Sequence, residues 1–252
     1  MAKVLAVLLA LWAAILPATA TAAASDFANW AAVVVAGDFH AHSGGPTEAF
    51  DNARRDVTAA LVKAGFQDQN IQQFSVRPEK YPGQRLLPST PSVIAGSLQA
   101  LARKATDGCL IYFSSHGNPS GILVGDNLFS PAGLSQMVDE ACGARPTVVI
   151  LSACYSGVFL PAVSDANRVV LTAARPDRSS FGCSESDKYP YFDDCILSSF
   201  PHVGDFGALG QAARVCVSNR EAAEHLAPAS EPQMTLGAAI RPLLPFYAFS
   251  KN

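Results

Sequence analysis

The stretch RPTVVILSACYSG (residues 145–157) constrains this chain most. Residues 147–151 form an apolar run rich in β-branched side chains, long enough for a buried strand and too short for a helix. The run ends in Ser152, Ala153 and Cys154, and Tyr155, Ser156 and Gly157 then turn the chain. Upstream, DGCLIYFSSHG (residues 107–117) repeats the plan: a buried strand, two serines, then His116 and Gly117. Parallel sheets place their ligands at the carboxyl edge. Two neighbouring strands of one polarity therefore bring His116 and Cys154 to the same edge, as a thiol nucleophile with its base.

The rest of the chain alternates strands with helices. Residues 30–37 read as a first buried strand, followed by a Gly-, Ser- and His-rich loop over 38–47 that holds His40 and His42 at the same edge. Phe50, Ala53, Val57, Ala60 and Leu61 fall on one face of a helix over 49–64, which Gly65 stops. Residues 70–76 fit a second strand, 77–91 a proline-rich loop and 92–105 a second helix. Residues 121–129 read as a hairpin turning at Gly125, Asp126 and Asn127. Ser130 and Pro131 open a third helix running to about Cys142. Another buried strand covers 168–173, and 206–226 is mostly helical. Such alternation implies an α/β fold with a mainly parallel sheet covered on both faces. Neither an internal repeat nor a second domain is visible.

Lys3, an apolar core over 4–16 and small residues over 17–24 read as a secretory signal peptide. The core is short for a membrane span, and Pro17 interrupts it. The expected organisation is a signal over 1–24 and one domain over 25–252, secreted or periplasmic and off the membrane after cleavage. Charged residues are 15% of the chain and the formal net charge is −3, which leaves no basic excess for nucleic acid.

Export permits disulfides. If Cys154 is reactive, the other five cysteines form at most two bridges and leave one thiol over. Cys109 begins one strand and Cys142 ends the helix leading into the next, so both fall at the edge opposite the active site and form a plausible pair. Cys183, Cys195 and Cys216 permit three pairings that the sequence does not choose between. The cysteines lack close paired spacing, and His40 and His42 have no evident companion ligands, so no metal site is expected.

The motifs YFSSHG (112–117), GILV (121–124) and SACYSG (152–157), continuing through LTAARPDRSS (171–180), resemble the legumain family of cysteine peptidases within the caspase-like clan. The resemblance spans about residue 30 to 237. It implies a three-layer caspase-like fold and an endopeptidase with a peptide or protein substrate and no cofactor. It also implies roles for three residues. Cys154 attacks as thiolate, His116 acts as base and then acid, and the N–H groups of Gly117 and Cys154 form an oxyanion hole. No third catalytic residue is evident.

The pocket departs from the family, which reads asparagine with an acid two residues before the cysteine and an arginine–histidine pair after the first strand. Here Ser152 replaces the acid, and Glu48, Ala49, Phe50 and Asp51 stand where that pair belongs. Ser179 and Ser180 match the family's serine pair. Asp193 and Asp194 fall near its later aspartate, with Asp194 the expected one. Arg54 and Arg55 lie on the following helix, and Arg175 and Arg178 are the cations expected to reach this pocket if any does. Cleavage after asparagine or a basic residue is expected, with aspartate poor. The same dyad would serve a peptide ligase or transamidase, and a peptide-binding pseudoenzyme is the non-enzymatic alternative.

Overall fold

The computed structural model describes residues 26–250, so the expected signal peptide lies outside the described residues. Strands β1 (Trp30–Ala36), β4 (Gly108–Ser114), β8 (Thr147–Ser152) and β9 (Arg168–Thr172) are buried along their whole length. With β2 (Ile71–Ser75), β3 (Leu86–Pro88) and β10 (Gln233–Leu236) they form one seven-stranded sheet in the order β10-β9-β8-β4-β1-β2-β3. Every pairing is parallel except β10 with β9. A small antiparallel sheet of β5 (Gly117–Asn118), β6 (Gly121–Val124) and β7 (Asn127–Phe129) follows β4 and contains the expected hairpin.

Continuous apolar strands are needed because helices cover both faces. Trp30, Ala32 and Val34 point to the same side as Leu110, Tyr112, Val148 and Ile150, into a core shared with three helices. These are α1 (Ala49–Ala64), α5 (Tyr191–Ser199) and α6 (Phe206–Ala223). The alternate residues Val33, Val35, Ile111, Phe113, Val149 and Leu151 meet α2 (Pro91–Ala102), α3 (Pro131–Cys142) and the short α4 (Leu160–Val163) on the other side. The result is a three-layer α/β/α arrangement with two cores.

Local chemistry sets several boundaries. The Ser130 side chain accepts from the Gly133 N–H at 3.1 Å and Pro131 occupies the first turn of α3. Gly65 ends α1 at φ 116°, a left-handed conformation that a side chain would oppose. Two bridges join Cys109 to Cys142 and Cys195 to Cys216, which leaves Cys154 and Cys183 as free thiols. The first ties the start of β4 to the end of α3. The second, one of the three pairings left open by sequence, ties α5 to α6. The proline-rich loop expected over 77–91 contains the edge strand β3, and α5 is a helix that the sequence reading did not find.

Candidate active site

Strands β4 and β8 are adjacent and parallel, with Ser114 opposite Ser152. His116 and Cys154 each lie two residues beyond that matched pair. The Ser115 N–H still donates to the Ser152 carbonyl at 3.0 Å, so the register continues past the strand ends. Both side chains consequently line one cleft, together with Phe50, Ser115, Ser152 and Ser180. Phe181, Cys183 and Pro190 add to the same wall.

The turn after Cys154 is specialised. Tyr155 has φ 58°, which is uncommon for a residue with a side chain, and its N–H donates to the Arg178 carbonyl at 2.8 Å. That bond holds residues 178–180 against Cys154. The Ser180 N–H donates to the Cys154 sulfur at 3.2 Å. Burial pushes the Cys154 thiol up, while the Ser180 amide and the Ser179 hydroxyl pull it back down. The net direction is upward, so the resting thiol is protonated at neutral pH and needs a base to become a nucleophile.

His116 is positioned from two sides. The Phe50 ring meets it edge to face, with centroids 5.1 Å apart. Its Nε2 lies 2.8 Å from the His40 carbonyl oxygen. A carbonyl only accepts, so Nε2 carries the proton in that bond and the neutral ring keeps its lone pair on Nδ1. No hydrogen bond joins His116 to Cys154 among the described residues. The His40 carbonyl is the third partner that the sequence did not reveal, since a main-chain group leaves no signature in residue identity.

Gly117 meets a steric requirement. An added Cβ would lie 2.3 Å from the Cys154 carbonyl oxygen, so only glycine lets these backbones approach so closely. The Leu123 N–H donates to the His116 carbonyl at 2.9 Å, which makes that the hydrogen-bonded pair of the hairpin. Antiparallel alternation then turns the Gly117 N–H away from β6. The Cys154 N–H donates to no backbone carbonyl among the described residues. The Gly117 N–H thus stays outside the β5–β6 ladder, and the Cys154 N–H lies beside its own sulfur.

The acid under the cleft is Asp193. Its carboxylate is fully buried and accepts from the hydroxyls of Ser152 at 2.5 Å, Ser114 at 3.0 Å and Tyr112. Burial pushes its pKa up to about 7, against the pull of the three hydroxyl donors. Asp194 is not brought to the cleft. It lies on the outer side of α5, ion-paired with Arg220 at 2.8 Å. Consecutive helical residues point about 100° apart, and α5 turns Phe192, Asp193 and Ile196 inward. Once α5 is known to be a helix, that inward stripe singles out Asp193.

The other charged candidates sit elsewhere. Glu48 binds Arg77, Lys80 and Tyr81. Asp51 and Arg54 form a buried pair at 3.0 Å beside Gln73 and Ser75. Arg175 and Arg178 both pair with Asp177, at 3.0 Å and 2.7 Å. No lysine or arginine among the described residues lines the cleft. No group of three or more His, Cys, Asp and Glu among the described residues is arranged to hold a metal. Nor is any described helix long and apolar enough to cross a membrane.

Solved structures define the class first. The chain superposes on caspase-1 from Spodoptera frugiperda with a TM-score of 0.57 and 15% identity, covering 84% of this chain and 88% of that one. It superposes on protein GSU0716 from Geobacter sulfurreducens with a TM-score of 0.61 and 12% identity, covering 88% and 99%. At such identities the likeness is one of fold, and the fold is caspase-like. The Peptidase C13 family model matches residues 32–203, and the chain belongs to that family, the legumain family. No curated protein matches the sequence.

Proposed function

We propose that this chain is an exported cysteine endopeptidase that cleaves peptide bonds through a Cys154 thioester, with His116 as general base and acid. The supporting observation is the register of β4 and β8, which sets the two side chains at equal distance beyond Ser114 and Ser152 and into one cleft. His116 takes the Sγ proton as sulfur attacks the scissile carbonyl, and the developing oxyanion meets the N–H groups of Gly117 and Cys154. The imidazolium returns the proton to the leaving amine. Water, activated by the same ring, then hydrolyses the thioester. Two disulfides suit an oxidising compartment, in keeping with the signal-like N-terminal sequence.

Specificity follows from the wall and floor of the cleft. A substrate carboxylate entering a desolvated pocket needs a fixed cation, and among the described residues none lines this one. Ser152 and Ser180 offer neutral partners. We infer cleavage after asparagine or a basic residue. Otherwise identical peptides carrying Asn, Arg, Lys or Asp before a reporter group test this. The reading expects Asp to be the poorest of the four at pH about 7, where an aspartate substrate is ionised. A preference for Asp would overturn the assignment of the pocket.

A further inference from the structure

The loop after β1 is organised by one carboxylate. Asp38 Oδ1 accepts from the N–H of Phe39 at 2.6 Å and of His40 at 3.1 Å, and lies 2.8 Å from His40 Nδ1. A single oxygen thus fixes two successive peptide planes and the side chain that follows them. The next plane is held at both ends. Its N–H, from Ala41, donates to the Gly45 carbonyl at 2.6 Å, and its carbonyl, from His40, receives His116 Nε2–H at 2.8 Å. The Thr47 N–H closes the loop on the Phe39 carbonyl at 2.8 Å, and the Arg77 guanidinium covers the Phe39 ring at 4.4 Å. Residues 39–47 form a closed hairpin that meets the base through the His40 carbonyl.

We propose that Asp38 is a positioning residue: by clamping this turn it aims the His40 carbonyl at His116 Nε2, and so holds the imidazole in the tautomer whose Nδ1 is free to receive the Cys154 proton. This rests on the peptidase reading for its consequence in turnover, though not for the tautomer itself. With Nε2–H engaged, the proton passes from Sγ to Nδ1 and the resulting imidazolium keeps its bond to the carbonyl. Without the clamp the carbonyl can swing away. The ring then samples the other tautomer, in which Nδ1 carries a proton and cannot act as base. Serine peptidases show the size of a tautomer error, about 10⁴-fold in kcat when the orienting carboxylate is replaced outright. Asp38 acts one step further out, through a backbone group, so its effect should be smaller.

The test combines spectroscopy with kinetics. In 15N-histidine-labelled Cys154→Ala protein, observed at about pH 8 so that imidazoles are neutral, His116 should carry its proton on Nε2. Adding Asp38→Ala should produce a mixture of tautomers, and Asp38→Asn, which retains an Oδ1 acceptor, should restore the single form. With Cys154 present, Asp38→Ala should lower kcat about tenfold with KM changed less than about twofold, and Asp38→Asn should recover most of the loss. An unchanged tautomer in Asp38→Ala would overturn the proposal, as would an Asp38→Asn variant no better than Asp38→Ala. Should Asp38→Ala fail to fold, mixed tautomers in Asp38→Asn would overturn it alone. If no variant cuts any peptide yet the tautomer shifts and recovers as described, Asp38 keeps its role and the peptidase reading falls.

Discussion

The two ends of the same strands are built for opposite purposes. At the amino edge, Arg145 donates to the carbonyls of Ala102, Ala141 and Cys142, at the last turns of α2 and α3. Arg168 is buried there, donating to the Val163 carbonyl at 3.0 Å and pairing with Asp139. The Cys109–Cys142 bridge closes the same edge. Helix carbonyls, cations and a cross-link satisfy one another, as expected where helix C-termini gather. At the carboxyl edge Cys154 and Cys183 are free thiols that line a cleft, and Tyr155 holds an unfavourable backbone angle. One edge is tied together by cations, helix carbonyls and a cross-link; the other carries two free thiols beside a cleft. The contrast separates the contacts that tie strands and helices together from the edge that carries the free thiols.

Substitutions at the two edges should therefore separate activity from stability. Cys154→Ala and His116→Ala should each reduce turnover by more than about a hundredfold, since nucleophile and base act as one unit. Circular dichroism and the thermal midpoint should stay close to wild type. Replacing both Cys109 and Cys142 by alanine should give the reverse. Releasing a loop with a sequence separation of 33 residues should cost about 2–4 kcal/mol in denaturant unfolding, with activity retained in the cold. A cold-inactive double variant that remains folded would blur the division between edges.

A finer probe lies between the edges, at Asp193. Its carboxyl titrates near 3.8 in the unfolded chain and at about 7 in the fold. Between those values the folded chain keeps a proton that the unfolded chain has released, so stability falls as pH rises through that window. Asp193→Asn cannot ionise and should lack this slope. Urea midpoints at about pH 5 and about pH 8 for both proteins measure the difference in slope, independent of any constant offset. Parallel profiles would mean that Asp193 is ionised throughout.

Much of this was legible in the sequence, for identifiable reasons. The four inner strands are buried on both sides and so read as unbroken apolar runs, and α1 and α3 carry periodic stripes and a cap. The matched endings of β4 and β8 brought His116 and Cys154 forward because parallel register converts sequence position into spatial position. Helix α5 was missed because nine residues hold little periodicity, and with it went the choice between Asp193 and Asp194. Strand β3 is three residues at a sheet edge within a proline-rich loop. Pairing of Cys195 with Cys216 depends on how α5 and α6 pack, which spacing does not encode. The His40 carbonyl belongs to the main chain, so only the fold reveals it.

The two free thiols allow the most direct measurement. Cys154 and Cys183 line the same cleft, but burial, with the charge of Cys154 beside it, pushes Cys183 up to about 11. A peptidyl acyloxymethyl ketone with asparagine next to the warhead mimics the substrate carbonyl and traps the attacking sulfur. Intact-mass and peptide mapping should find one adduct per chain, on Cys154, absent in Cys154→Ala and strongly slowed in His116→Ala. Modification of Cys183 instead, or a wild-type protein that takes up no adduct from this probe or from its arginine and lysine counterparts, would contradict the assignment of Cys154 as the nucleophile.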